Sequence, residues 1–305
     1  MIITFGSINV DFVYEVEEMP QPGQTLLAKG FRTEAGGKGA NQALAAARDG
    51  AEVVMVGAVG NDSLAEIGLQ NLKTTADFSR VARVREPTGS ASIHIDAKGR
   101  NMIVVAAGAN LAASADAVEE DLLQRANVVL LQMENDVTEV EKLIRRTLAA
   151  NAMSILNLAP AYPLEEQVLS LCDLIVVNED EAEALAGWLG CGSSAKALSA
   201  RLDTGVLRTL GGEGAEAFVD GQDVRVRAMQ IDVADTTAAG DCFVGVLASA
   251  LDRGLPLASA MERASIAAGL ACTRRGSQSS IPSAVEINQH SGLSGFSKPP
   301  ASHPK

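Results

Sequence analysis

The sequence predicts a doubly wound α/β fold, and three observations carry that expectation. Short apolar strands alternate with helix-patterned segments along most of the chain. Glycine is frequent, at 28 of 305 residues, while aromatic residues make up only 3%, which suits helices packed closely on a sheet with glycine-rich turns between them. Hydrophobic residues reach 47%, enough for a deep core in one large domain or two ordinary ones.

Taken in order, "MIITFG" reads as a first buried strand, and "GGKGANQALAAARDG" turns from glycine into an alanine-rich helix that ends at Gly50. The strand "AEVVMVGAVG" and the amphipathic helix "SLAEIGLQNL" follow. The alternation continues through "NVVLLQM", "VTEVEKLIRRTLAA", "MSILNLAP", "DLIVVNEDEAEALAG" and "GVLRTLG". Two consecutive helices, "AGDCFVGVLASALDRG" and "LASAMERASIAAGLACTR", close the pattern. Two regions interrupt it. Residues 11–35 hold short extended pieces with Pro20, Pro22 and Gly23, and residues 88–105 read as a hairpin turning at "DAKGR". These two segments are expected to meet as a small sheet standing off the main one. The tail from 291 to 305 lacks apolar periodicity and reads as disordered.

Charge and cysteine usage narrow the function classes. The formal net charge of −13 leaves no broad electropositive surface, which argues against nucleic acid as a partner. No apolar run is long enough to cross a bilayer, and the N-terminus shows neither a basic region nor a cleavable apolar segment. Cys172, Cys191, Cys242 and Cys272 are scattered without a Cys-x-x-Cys pair, as expected of reduced thiols in a cytoplasmic protein. His94, His290 and His303 are too dispersed for a metal cluster.

The chemistry concentrates in "DTTAAGDCFVGVLAS", residues 235–249. Ala238, Ala239 and Gly240 carry almost no side-chain bulk, so their backbone can approach a ligand closely. The periodicity of Phe243, Val246, Leu247 and Leu251 starts a helix at once, and the unpaired N–H groups of its first turn form an anion hole reinforced by the helix dipole. Asp241 falls in that first turn. It can complement the dipole, or it can accept a proton from a hydroxyl attacking a bound phosphate. Asp235 precedes the turn and can hold the loop or offer oxygen to a cation.

Further polar groups lie where strands give way to helices or loops. In "GGKGAN", Gly37 permits close backbone approach, and Lys38 and Asn41 supply donors for a polyhydroxylated ligand. The segment lacks the Lys-Ser/Thr ending of a P-loop, and an ordinary glycine-rich turn with a surface lysine stands as its alternative reading. Asn178 and Glu181 of "NEDEAE" are three apart after a strand and can serve Mg²⁺ directly or through its waters; by themselves they equally describe a helix cap followed by solvated acids. Asn9 and Asp11 follow the first strand at its carboxyl end, and Glu134 lies beyond another, the places where ligands gather in α/β folds.

The motifs "GSINVD", "PQPGQTL", "GGKGANQALAAARDG", "VGAVGND", "AAGAN", "NEDE", "TLGGEG", "DTTAAGD" and "TRRGSQSSIP" occur in that order. Together they resemble the ribokinase branch of the PfkB carbohydrate kinase family, from Ile2 to about Asn288. The resemblance implies a three-layer α/β domain spanning 1–290 with a small β lid, and a homodimer made through that lid. It implies transfer of the ATP γ-phosphate to a sugar hydroxyl, the 5-hydroxyl of D-ribose, with a nucleoside kinase or another sugar kinase of the same fold as the alternative. Asp241 matches the catalytic base, and Ala238, Ala239 and Gly240 the anion hole. Asn9, Asp11, Gly37, Lys38, Asn41 and Glu134 match sugar-holding positions. Asn178 and Glu181 match the motif that organises Mg²⁺ and phosphate, and Thr209, Gly211 and Gly214 fall in the nucleotide loop. Asp235 and Thr237 match positions around a K⁺ site, with Ala271, Arg274 and Gly276 on its far side. Thr237 stands where many relatives carry a larger apolar residue, and Ser279 where ribokinases often have proline.

Overall fold

Parallel strands buried on both faces should read as unbroken apolar runs, and the central strands do. The computed structural model describes residues 1–98 and 100–290. Strand β1 (Ile2–Phe5) is fully buried, and a turn at Gly6–Ser7 diverts the chain into β2 (Asn9–Glu15) and β3 (Gly30–Gly36) of a second sheet. The chain returns through α1 (Lys38–Arg48), β4 (Val53–Gly60), α2 (Ser63–Leu69) and β5 (Asp77–Val84). It leaves again for β6 (Gly89–Ile95) and β7 (Asn101–Ala106). Asp96 closes the turn between them, accepting from the Lys98 and Arg100 amides, while Gly99 lies outside the described residues. The rest alternates: α3 (Glu120–Leu123), β8 (Val128–Gln132), α4 (Val137–Ala149), β9 (Met153–Asn157), α5 (Glu166–Leu169) and β10 (Leu174–Val177). Then come α6 (Glu179–Leu189), α7 (Ala195–Leu202), β11 (Gly205–Thr209), β12 (Ala215–Val219) and β13 (Gln222–Val226). Helices α8 (Ala239–Asp252), α9 (Leu257–Cys272) and α10 (Ala284–His290) complete the described chain.

Among the described residues the main sheet has nine strands in the order β13-β12-β11-β10-β9-β8-β1-β4-β5. It is parallel except at one edge, where β12 runs antiparallel to both β11 and β13. Alternation along each strand splits the core in two. Ile2, Met55, Val128 and Leu130 face α1, α8 and α9, while Ile3, Phe5, Val129 and Leu131 face α4, α6 and α7. Three layers result. The smaller sheet runs β3-β2-β6-β7 and joins the two segments that the sequence set apart, with β2 and β6 parallel. Its first strand starts at Asn9, so the lid opens two residues earlier than the expected boundary at 11. The expected tail, 291–305, lies outside the described residues.

Two small-residue contacts and one ion cluster fix the helices that carry the site. A Cβ at Gly245 of α8 would lie 2.4 Å from the Gln42 carbonyl oxygen of α1, so glycine lets these helices touch backbone to backbone. A Cβ at Gly39 would lie 2.5 Å from the Gly6 carbonyl carbon, which seats the start of α1 on the β1 turn. At the far end of α1, the fully buried Asp49 accepts from Arg253 at the end of α8 and from Arg263 of α9.

Candidate active site

The order of the sheet reverses at β1, with β4 and β5 on one side and β8 to β11 on the other. A crevice forms beyond the carboxyl ends of the strands at such a switch point. Ser7, Glu134, Asn157, Asn178 and Thr209 all lie at or just past these ends.

Helix α1 begins with no side chain of its own to cap it, because its N-cap residue is Gly37, which sits at φ 91°. A Cβ there would also lie 2.7 Å from the Asn9 amide nitrogen. The missing cap is supplied across space. Ser7 Oγ donates to Glu134 Oε2 at 2.5 Å, the Gly39 amide donates to Ser7 Oγ at 3.3 Å, and the Lys38 amide donates to Glu134 Oε2 at 3.3 Å. Glu134 thus places its charge at the positive end of α1.

The N-cap of α8 is Ala238, a non-glycine residue at φ 57°. Within the expected anion hole the Ala239 amide is already used, donating to the Thr236 carbonyl at 3.2 Å. The amides of Gly240 and Asp241 remain in the first turn, ahead of any intrahelical acceptor. Asp241 is 8% exposed. Its Oδ2 accepts from Asn41 Nδ2 and its Oδ1 from Gln42 Nε2, each at 2.9 Å. A cavity of about 150 Å³ brings Asp241, Ala238 and Gly240 together with Lys38, Asn178, Glu181 and Thr209, residues drawn from four separate motifs.

Asn9 and Asp11 belong to the lid strand β2 rather than to the end of β1. Asn9 Oδ1 accepts from Asn110 Nδ2 at 2.7 Å, and Asn110 Oδ1 accepts from the Ile8 amide. Asp11 is buried and held up at about 7, first by that burial and then by Glu134, Glu34 and Asp241, with Lys38 pulling the other way. Lys38 is itself raised: burial lowers it most, but Asp241, Glu134, Glu181 and Asp11 together outweigh burial. One cation therefore sits in the field of several carboxylates.

The Asp11 shift has a sign that can be measured. An unfolded chain releases this proton near 3.8, whereas the folded protein keeps it to about 7, so folding binds a proton in between. Asp11 then lowers stability as the pH rises from about 4 to 7, by at most about 1.4 kcal/mol per pH unit. Asp11→Asn is expected to melt above the parent at pH 8, with the gap closing by pH 4. A gap that does not change with pH contradicts this.

Asn178 and Glu181 form a reciprocal capping box on α6: Asn178 Oδ1 accepts from the Glu181 amide, and Glu181 Oε2 from the Asn178 amide, both at 2.8 Å. The cap is formed, and both residues also line the cavity beside Asp241. Glu181 is raised by burial first, then by Asp241 and Asp180, against the Asn178 amide and Lys38. Gly211 and Gly214 are not among the residues lining that cavity. Gly214 also has a packing requirement, since a Cβ there would lie 2.0 Å from the Val226 carbonyl oxygen.

Asp235, Thr237 and Gly276 do come together. Asp235 Oδ1 accepts from the Thr237 amide and hydroxyl, and Oδ2 from the Gly276 amide. Burial raises Asp235, but these hydrogen bonds, with Arg32, hold it below the usual carboxylate range. The Cys272 carbonyl receives the Ala234 and Asp235 amides, tying this loop to the end of α9. Ala271 and Arg274 share the turn there, Arg274 donating its amide to Ala271 while its side chain pairs with Glu286.

Ser7, Glu34, Gln42, Gln132 and Asn157 escaped the sequence reading. Glu34 of β3 accepts from the Ser277 amide at 3.0 Å, linking the lid to the Asp235 loop. Gln42 lies beside Asn41 on α1, and that adjacency was the only sequence signal for it.

Comparison with known proteins shows the family and the fold. Residues 1–284 match the description "pfkB family carbohydrate kinase". A curated ribokinase from Staphylococcus aureus is 35% identical over 94% of this chain and 98% of its own. The crystal structure of a Thermotoga maritima ribokinase superposes with TM-score 0.86 at 30% identity, covering 94% of this chain and 98% of that one. An Arabidopsis thaliana ribokinase complexed with ribose and ATP superposes with TM-score 0.85 at 28% identity over 94% and 97% of the two chains. With the family matched over nearly all of its described length, this chain belongs to the pfkB family of carbohydrate kinases.

Proposed function

We propose that the chain transfers the γ-phosphate of ATP to the 5-hydroxyl of D-ribose, giving D-ribose 5-phosphate and ADP. The observation that carries this reading is the buried Asp241 carboxylate at the start of α8, gripped by the glycine-rich segment of α1 beside a cavity shared with the Asn178 and Thr209 motifs. As the ribose oxygen bonds to the γ-phosphorus and the bond to the β,γ-bridging oxygen breaks, Asp241 takes the hydroxyl proton. The first-turn amides of α8 and Lys38 face the charge that gathers on the transferring group. Asn9, Asp11, Gly37, Lys38, Asn41 and Glu134 hold the sugar. The Oδ1 atom of Asn41 is buried without a hydrogen-bond partner among the described residues, an acceptor that a sugar hydroxyl would satisfy. A site built on several such bonds discriminates strongly against analogues lacking a hydroxyl.

Among the described residues no three of the His, Cys, Asp and Glu side chains cluster as a metal site. Asn178 and Glu181, each engaged in the cap, fit Mg²⁺ only through its waters. When bound with the nucleotide, Mg²⁺ neutralises phosphate charge. At the Asp235 loop the charge of a carboxylate held by the Thr237 and Gly276 amides lies beside the end of α9, a setting that would suit a large monovalent cation such as K⁺. Asp235, Thr237, Ala271, Arg274 and Gly276 would brace the anion-hole loop around it. Potassium is therefore expected to raise kcat over a large organic cation at fixed Mg-ATP, and equal rates would count against the site.

The lid supports a homodimer: β7 is an edge strand exposing Met102, Ile103, Val104 and Val105 in succession, with Phe31 exposed on β3. The four thiols are unpaired, which fits the reducing cytoplasm. Among the described residues no helix is long and apolar enough to cross a membrane. The reading is tested by a phosphoryl-transfer screen with Mg-ATP across pentoses, hexoses and nucleosides. D-ribose is expected to be the best acceptor. Robust turnover of adenosine or fructose with none of ribose would overturn the substrate and leave the kinase chemistry standing.

A further inference from the structure

We infer that Gln42 is a positioning residue for phosphoryl transfer, holding the Asp241 carboxylate through a buried chain of side-chain amides anchored on strands β8 and β9. The inference rests on the reading of Asp241 as the proton acceptor and adds the groups that aim it.

Three amides lie behind Asp241. Gln42 and Gln132 are fully buried, and Asn157 is 7% exposed. Gln42 Nε2 donates both to Asp241 Oδ1 and to Asn157 Oδ1, each at 2.9 Å. Gln42 Oε1 accepts from Gln132 Nε2 at 2.7 Å. Asn157 Nδ2 donates to the Val176 carbonyl at 3.2 Å.

Hydrogen-bond logic fixes the direction of this chain. The Val176 carbonyl can only accept, so Asn157 must turn its nitrogen toward it and its oxygen toward Gln42. Gln42 must then present its nitrogen to Asn157. The same nitrogen supplies the second hydrogen to Asp241, an ionised carboxylate that also can only accept. Two acceptors at opposite ends therefore enforce one orientation of Gln42. Gln132 meets the remaining oxygen, and its own Oε1 is left buried without a partner among the described residues. A Cβ at Gly6 would lie 2.0 Å from that oxygen, so glycine at this position leaves room for it. A set of amides arranged only to satisfy one another would not leave an acceptor bare. This one is arranged to donate at Asp241.

The grip is two-sided. Asn41 and Gln42, consecutive on α1, each hold one oxygen of the carboxylate, so rotation about the end of the Asp241 side chain is blocked from both sides. Close contact of α1 and α8 at Gly245 brings them within reach. Misplacing a reacting group by about 1 Å can cost on the order of 100-fold in rate, so this grip should be read in kcat rather than in binding.

The test uses Gln42→Met, which keeps length and bulk while removing the donor. Its kcat is expected to fall about 10- to 100-fold, with dissociation constants for ribose and ATP, measured by calorimetry, within about threefold of the parent. On an Asp241→Asn background the same change is expected to cost less than about twofold, since the group being aimed is gone. Gln132→Met, one bond further out, is expected to lose roughly 5- to 20-fold in kcat and carries the test should Gln42→Met not fold. A kcat within threefold of the parent in whichever of the two variants folds overturns the inference. So does an equal loss on the Asp241→Asn background, which marks a general structural role. If Asp241→Asn itself keeps full activity, the reading of the base fails and takes this inference with it. If Asp241→Asn is inactive while the glutamine variants are not, only the positioning role fails.

Discussion

Asp241→Asn is expected to lower kcat by roughly 10²- to 10⁴-fold, the usual span for general acid–base catalysis. The substitution keeps the shape of the side chain and an oxygen that can still accept from Gln42, but it removes the group that takes the proton. Asn41, which donates to Asp241 Oδ2, must turn its amide to meet the new NH2 group, but the remaining sugar-holding residues and the first-turn amides are unchanged, so ribose and ATP should still bind. Loss of a negative charge at the start of α8 can tighten ATP slightly, since that charge opposes phosphate at the same helix end. Single turnover at saturating ribose and ATP, with calorimetry for each ligand, separates these effects. A variant that binds both ligands and transfers phosphate at the parental rate removes Asp241 from the chemistry. A variant that binds neither makes Asp241 a loop-holding residue.

The second large effect is on stability. Asp49 is fully buried and joins α1 to Arg253 and Arg263, and Arg263 also donates to Asn288. Asp49→Ala leaves a guanidinium buried without its partner, a change that costs about 3–5 kcal/mol when a buried pair is broken from one side. The expected result is a clear drop in melting temperature and in the denaturant midpoint. Because Asp49 sits at the opposite end of α1 from Asn41 and Gln42, kcat per folded molecule should change far less than in Asp241→Asn. A melting temperature within about one degree of the parent would contradict the account of the cluster, a 1 kcal/mol loss being worth about 2–4 °C in domains of 150–250 residues.

What the sequence made legible follows from locality. The start of α8, the glycine-rich entry to α1 and the lid hairpin at Asp96 are written in consecutive residues whose turn chemistry and periodicity have one good solution. Strand β5 was not legible because "DFSRVARV" mixes charged residues into an exposed edge, where no second face demands burial. The β12–β13 hairpin was missed for a similar reason, at the antiparallel edge of the sheet. Asn9 and Asp11 moved from the end of β1 into the lid because β1 stops at Phe5, where Gly6 meets the backbone of Gly39, a contact between distant parts of the chain.

Within the site, residue types were readable but partnerships were not. Asp241, Lys38 and Asn178 announced themselves through their motifs. Gln42, Gln132 and Asn157 did not, because a buried glutamine in an apolar run carries no local sign of what it will meet. Their pairing spans 90 to 199 residues of sequence and exists only once α1, α8 and the sheet are packed. The same holds for Ser7 and Glu134, which meet 127 residues apart to cap α1.

The most direct measurement is product identification after reaction with Mg-ATP and D-ribose. Phosphorus–proton correlation spectroscopy of the product is expected to show the new phosphorus coupled to the two protons on C5, with one ADP formed per phosphoryl group transferred. Coupling to the C1 proton instead, or ADP release without any phosphorylated sugar, would contradict the proposed transfer at this site.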